Sequence, residues 1–94
     1  MAKENKISEE KLKNYFNKTE KALEIARDKV NKDKKEEAKE ILEMVENYLA
    51  DAGHFKNNED WVNAFACLNY CHGWLDTGAR LRIFNVTDDK LFTI

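Results

Sequence analysis

His72, Asp76 and Arg80 follow one another at four-residue steps, and Asn69 stands three residues before His72. On a helix this spacing brings a carboxylate to an imidazole and a guanidinium to the carboxylate. The chemistry it could do is proton transfer, with His72 as base or ligand donor and Asp76 as its orienter. A plainer reading needs the same residues. A buried histidine must be satisfied, by Thr19 or Asp76, and Asp76–Arg80 is then an ordinary pair on the helix surface. No nucleophile or oxyanion hole stands at a helix end or sharp turn, so no catalytic residue is assigned. Asn69, His72, Asp76 and Arg80 remain candidates for a small-ligand or nucleotide site.

Cys67, Cys71, His72 and His54 invite a zinc reading. Structural zinc sites join a close cysteine pair to a second ligand pair, and that second pair is missing. Cys71 and His72, adjacent on a helix, also point about 100° apart. No metal site and no cofactor is expected, and the thiols read as small apolar residues. Their four-residue spacing is poor for a disulfide, and two free thiols suit a reducing compartment, so a cytoplasmic protein is expected. The N-x-T triplets at Asn17 and Asn85 are then chance matches.

Gly73 and Gly78 lie inside the same helical stretch. A glycine there costs about 1 kcal/mol relative to alanine, which suggests close approach by another element. The glycines sit in mid-helix after no strand, so they are no phosphate loop. Trp61, Phe65, Tyr70 and Trp74 lack the basic neighbours of a base-stacking platform. The net charge of −2 gives no basic excess, so neither nucleic acid nor an anionic membrane is expected as partner. No apolar run approaches the ~18 residues of a membrane span, and with a polar start no signal peptide is expected.

Three helices must position these residues. Ser8 caps the first, about 8–31, along which Leu12, Phe16, Thr19, Leu23, Ala26 and Val30 form a stripe. Asp33 and Glu36 resemble a capping box for the second, about 34–57. Its apolar face, Ala38, Leu42, Val45, Leu49 and Ala52 with Ile41, Tyr48 and Phe55, is wide enough to touch both neighbours. Asn57-Asn58 ends it, with asparagine in the left-handed conformation. The third runs about 59–84 and has two apolar lines. The inner one is Trp61, Phe65, Leu68, His72, Leu75 and Ala79; the outer one is Cys67, Tyr70, Trp74 and Leu81. A helix apolar on two faces is buried on two faces.

The tail, 85–94, follows a C-cap at Asn85, turns at Thr87-Asp88-Asp89 and ends in the mildly strand-like Lys90–Ile94. It is expected to dock on the Trp74 and Leu81 side. Short loops then give an all-α, up-down-up antiparallel three-helix bundle, one domain over 1–94, with a short docked C-terminal tail. Cys67, Tyr70, Trp74, Leu81, Leu91 and Phe92 are the interface candidates, for a protein partner or a homodimer.

Tyr15-Phe16, Thr19 to Glu24, Tyr48, Asp51-Ala52, Phe55, then Asn69-Tyr70 and His72-Gly73-Trp74-Leu75-Asp76 with Gly78-Ala79-Arg80-Leu81 form a recognisable pattern. It resembles the archaeal domain of unknown function family 357 over nearly the whole chain, most specifically around His72. The resemblance implies a small cytosolic helical-bundle protein of archaeal type without assigned activity. It carries over Asn69, His72, Gly73, Trp74, Asp76 and Arg80 without roles. A vaguer likeness, at the level of fold, is to the helical partners of small nucleotidyltransferases.

Overall fold

The computed structural model describes residues 7–93, so the polar start at 1–6 and the last tail residue, Ile94, lie outside the described residues. Helix α1 spans Glu9–Asp28 and opens where the Ser8 hydroxyl accepts the N–H of Lys11 at 3.0 Å. Its stripe is real: Leu12, Thr19, Ala22, Leu23 and Ala26 are buried. The helix stops short of 31 because Val30 leaves it to form an antiparallel bridge with Phe84. The capping box at Asp33 and Glu36 does not form. Asn31 instead accepts the N–H of Asp33 and starts a 3-10 turn, Lys32–Lys34, and α2 (Lys35–Asn57) begins without a side-chain cap.

Both later helix ends are Schellman turns built without glycine. At the end of α2, Glu59 adopts φ 59°. Its N–H reaches the Lys56 carbonyl at 3.0 Å and the next N–H, of Asp60, reaches Phe55 at 2.8 Å. The left-handed residue is therefore Glu59, one place beyond the expected asparagines, because Asp60 must be free to cap α3 by accepting the N–H of Asn63. Helix α3 spans Trp61–Arg80, shorter than 59–84 at both ends. Arg82, at φ 60°, ends it. The Arg82 N–H bonds Ala79 and the Ile83 N–H bonds Gly78, the two reciprocal bonds of the motif. Leu81, not Asn85, is the C-cap.

Contacts fix the directions. Along α3 and just past its end, Phe65, His72 and Phe84 meet Tyr15, Thr19 and Val30, in ascending order. The same helix meets α2 in descending order: Tyr70 with Tyr48, Cys71 with Val45, Gly78 near Ile41. So α1 and α3 run together and α2 runs against them. Helices α2 and α3 pack closely, whereas α1 lies nearer to α3 and meets α2 through side chains, Leu23 and Ala26 in the shared core and Arg27 on Glu46. The wide face of α2 does touch both neighbours, but far more closely on the α3 side, and α3 is the helix that both others pack on most. The flattened section, 24 × 16 Å across a 47 Å length, follows from this splay.

The tail fills the splay. Phe84 and Phe92 are among the largest fully buried side chains and join Ala22, Leu23, Ala26, Val45, Leu75 and Ala79 in one core. Asp76 Oδ1 accepts the N–H of Thr93 at 2.9 Å. The tail thus docks against α1 and the Asp76 side of α3, not against Trp74 and Leu81. The Schellman turn at Arg82 causes this, since it folds Phe84 back over Gly78 and aims the chain at α1. Residues 85–93 form turns and irregular backbone rather than a strand, with the Asp88 carboxylate accepting the N–H groups of Lys90 and Leu91.

Candidate functional site

His72 lies at the middle of α3, 9% exposed, and its Nε2 is 2.8 Å from the Thr19 hydroxyl. Thr19 has one hydroxyl proton, and it goes to the backbone carbonyl of Tyr15 at 2.8 Å. With that proton on Tyr15, the Thr19 oxygen accepts from the ring, in the tautomer that carries its proton on Nε2. This is the reverse of a base-activated hydroxyl, in which the ring nitrogen would accept. The Tyr15 ring stacks on His72 at a centroid distance of 4.9 Å and an angle of 8°, and packs on Phe65 at 4.7 Å. Its hydroxyl donates to Asn69 Oδ1 at 2.7 Å.

Burial pushes the His72 pKa below its ordinary value; Asp76 opposes that shift and Lys18 adds to it. Burial thus favours the neutral ring. Tyr15 is pushed up, first by burial and then by Asp76 and Cys71. No buried side-chain nitrogen or oxygen among the described residues lacks a partner.

The four ligand-site candidates do not line one cavity. Asn69 is held by Tyr15, His72 by Thr19, and Asp76 by the tail. Arg80 is exposed and borders a separate surface cleft with Arg82, Asn85 and Thr87. Glu20, at the height of Thr19, is exposed, and Tyr48 stacks on Tyr70 at 5.1 Å. The cysteines are free and buried. The Cys71 thiol donates to the Val45 carbonyl, and burial drives its pKa up to about 12. Among the described residues no three His, Cys, Asp or Glu side chains are grouped to hold a metal ion.

The interface candidates divide. Cys67 and Phe92 are buried inside the chain and Leu91 is half-buried. Tyr70 (59%), Trp74 (38%) and Leu81 (56%) stay exposed. A shallow groove of about 580 Å³ is lined by Ala66, Asn69, Tyr70, Gly73, Trp74 and Thr77, all from α3. A Cβ built on Gly73 would meet nothing within 4 Å. On Gly78 it would collide with the Phe84 ring. The two helical glycines thus have different reasons. Gly78 admits the tail, while nothing within the chain asks for Gly73. Ala66 and Thr77, which complete the groove, escaped sequence reasoning because small residues carry no apolar signal. The stacking of Tyr15 on His72 had one signal, the four-residue step from Tyr15 to Thr19.

No helix among the described residues is long and apolar enough to cross a membrane. A family model described as "Protein of unknown function (DUF357)" matches residues 14–84, which takes in the His72 cluster and the whole groove. No curated protein and no solved structure matches the chain.

Proposed function

The chain belongs to the DUF357 family of proteins of unknown function, and from that premise we propose that it is a non-enzymatic interaction module working through the outer face of α3. One observation carries the reading. Tyr70 and Trp74 stand exposed beside Gly73, a mid-helix glycine with empty space before it, and Leu81 stands exposed at the end of the same helix. Exposed aromatics of this kind, grouped rather than scattered, mark contact surfaces. A glycine at their centre lets a second backbone approach closely.

The polar cluster supports the same reading from the other side. His72 is a donor to an internal acceptor, so its role is to hold α1 on α3. A ligand site at Asn69, His72, Asp76 and Arg80 is the alternative. Against it, Asn69 Oδ1, His72 Nε2 and Asp76 Oδ1 are already engaged by Tyr15, Thr19 and Thr93, and the four side chains share no cavity. Two buried free thiols favour a cytosolic setting.

Photo-crosslinking in cells tests the reading. A photoreactive residue at Thr77, in the groove, is expected to give adducts, and one at the exposed Glu24 of α1 is not. Adducts from both positions alike, or from neither, refute it.

A further inference from the structure

The groove on α3 has flanks of opposite charge. On the α1 side, Lys11, Asn14 and Lys18 border a surface groove with Phe65, and the Lys11 ammonium lies 5.9 Å from the Phe65 ring. Lys18 is close enough to act on His72. On the α2 side, Asp51 is close enough to act on Cys67, and Tyr48 stacks on Tyr70. Helical spacing sets Glu37, Glu40 and the exposed Met44 on the same face of α2 as Asp51. Between these flanks Ala66, Tyr70, Gly73 and Thr77 recur at steps of four, three and four, the spacing of a helix–helix seam.

Resting on the interaction reading above, we propose that the occupant of this face is a second copy of the chain, α3 against α3, parallel, with the two-fold axis along the helices. A surface with a basic border on one side and an acidic border on the other is complementary to itself. The two possible symmetries use that complementarity differently. A two-fold axis along α3 sets the Lys11 and Lys18 border of each protomer against the Asp51 border of the other, twice and at matching height. A two-fold axis across α3 makes the pair antiparallel. It sets lysine against lysine, and Asp51 against the Glu37 and Glu40 end of α2. Like charges placed opposite one another select against an arrangement more strongly than exposed opposite charges stabilise one. Charge therefore chooses the orientation, and Tyr70, Trp74 and Leu81 supply the area. Gly73 of each copy lies against Gly73 of the other, which accounts for a glycine that its own chain leaves unused.

The test uses the full chain with one cysteine added at a time. Light scattering of the purified protein is expected to give twice the 11.0 kDa of one chain. Under mild oxidation, Ala66→Cys and Thr77→Cys are each expected to form a disulfide with their own copy. The unaltered chain, whose cysteines are buried, serves as blank. Lys18→Glu is expected to weaken association several-fold, and Asp51→Lys in the same chain to restore it. A dimer in which neither cysteine bonds its own copy overturns the parallel arrangement. A monomer whose Thr77 adducts in cells contain a different protein overturns the second copy and leaves the interaction reading standing. A monomer without such adducts sinks both.

Discussion

Gly73 and Gly78 make a matched pair of substitutions. Both sit inside α3, so changing either to alanine gains the same helix propensity, about 1 kcal/mol. At Gly73 the new methyl meets nothing within 4 Å, and the gain stands alone. At Gly78 the methyl would stand 2.6 Å from Cδ2 of Phe84, closer still to Cε2, and 3.5 Å from Ile41 Cδ1. Carbon atoms rest at about 3.5–4.0 Å, so the Phe84 ring would have to retreat by about 1 Å. It has nowhere to go, being 1% exposed and wedged in the core. Overpacking of this kind costs typically 1–3 kcal/mol. Because propensity cancels between the two variants, the difference in their stabilities isolates the clash, and it should fall in that range. For a domain of this size each kcal/mol moves the Tm by roughly 4–8 °C. Urea and thermal melts should be run where Tm no longer varies with protein concentration, so that association does not enter. If Gly78→Ala is as stable as Gly73→Ala, the reasoning that the tail wedges against Gly78 is wrong.

Thr19→Val removes the acceptor of the His72 ring proton and leaves a buried donor unpaired. It should cost about 1–3 kcal/mol in denaturant, while Thr19→Ser should cost much less. Arg82→Gly and Glu59→Gly relieve a left-handed backbone at each Schellman turn, and each should gain about 0.5–1 kcal/mol in the same assay. The His72 pKa is lower in the folded chain than its ordinary 6.5. Below that value the unfolded chain binds the extra proton first, so stability should fall as pH drops from 6.5 through the folded pKa, and be fully present above it. Thermal melts from pH 7.5 to 5 should show the decline, and His72→Gln should flatten it.

Much of this was legible in the residues, for identifiable reasons. Leu12, Thr19, Leu23 and Ala26 recur with helical period, and that period alone put them inside. Leu68, Leu75 and Ala79 did the same for α3, and His72 among them had to find a partner, which Thr19 supplied. What was not legible depends on backbone turns with no side-chain signature. Glu59 and Arg82 stand where glycine or asparagine would have announced a left-handed residue. Without the stop at Arg82, α3 reads on to Phe84 and the tail is aimed at the wrong side of the helix. Asp76 then appears to pair with Arg80, when it holds Thr93. The groove was half legible. Its aromatic rim showed in Tyr70 and Trp74, but its floor of Ala66, Gly73 and Thr77 is defined by what is missing.

The bridge between Val30 and Phe84 bears on how the molecule opens. Asn31 N–H bonds the Ile83 carbonyl at 2.9 Å, Asn85 N–H bonds Lys29 at 2.7 Å, and the Asn31 side chain reaches the Arg82 carbonyl, 51 positions away in the chain. The α2–α3 hairpin and the turn that lays Phe84 on Gly78 close through nearby sequence, whereas α1 meets α3 and the tail only by closing a loop of half the chain. Helix α1 packs mainly on α3, and that clasp ties its C-terminal end to the tail. The two ends of the chain therefore form a single opening unit. In native-state hydrogen exchange, the amides of α1 and those of 83–85 should share one protection level, set below that of α2 and the first half of α3.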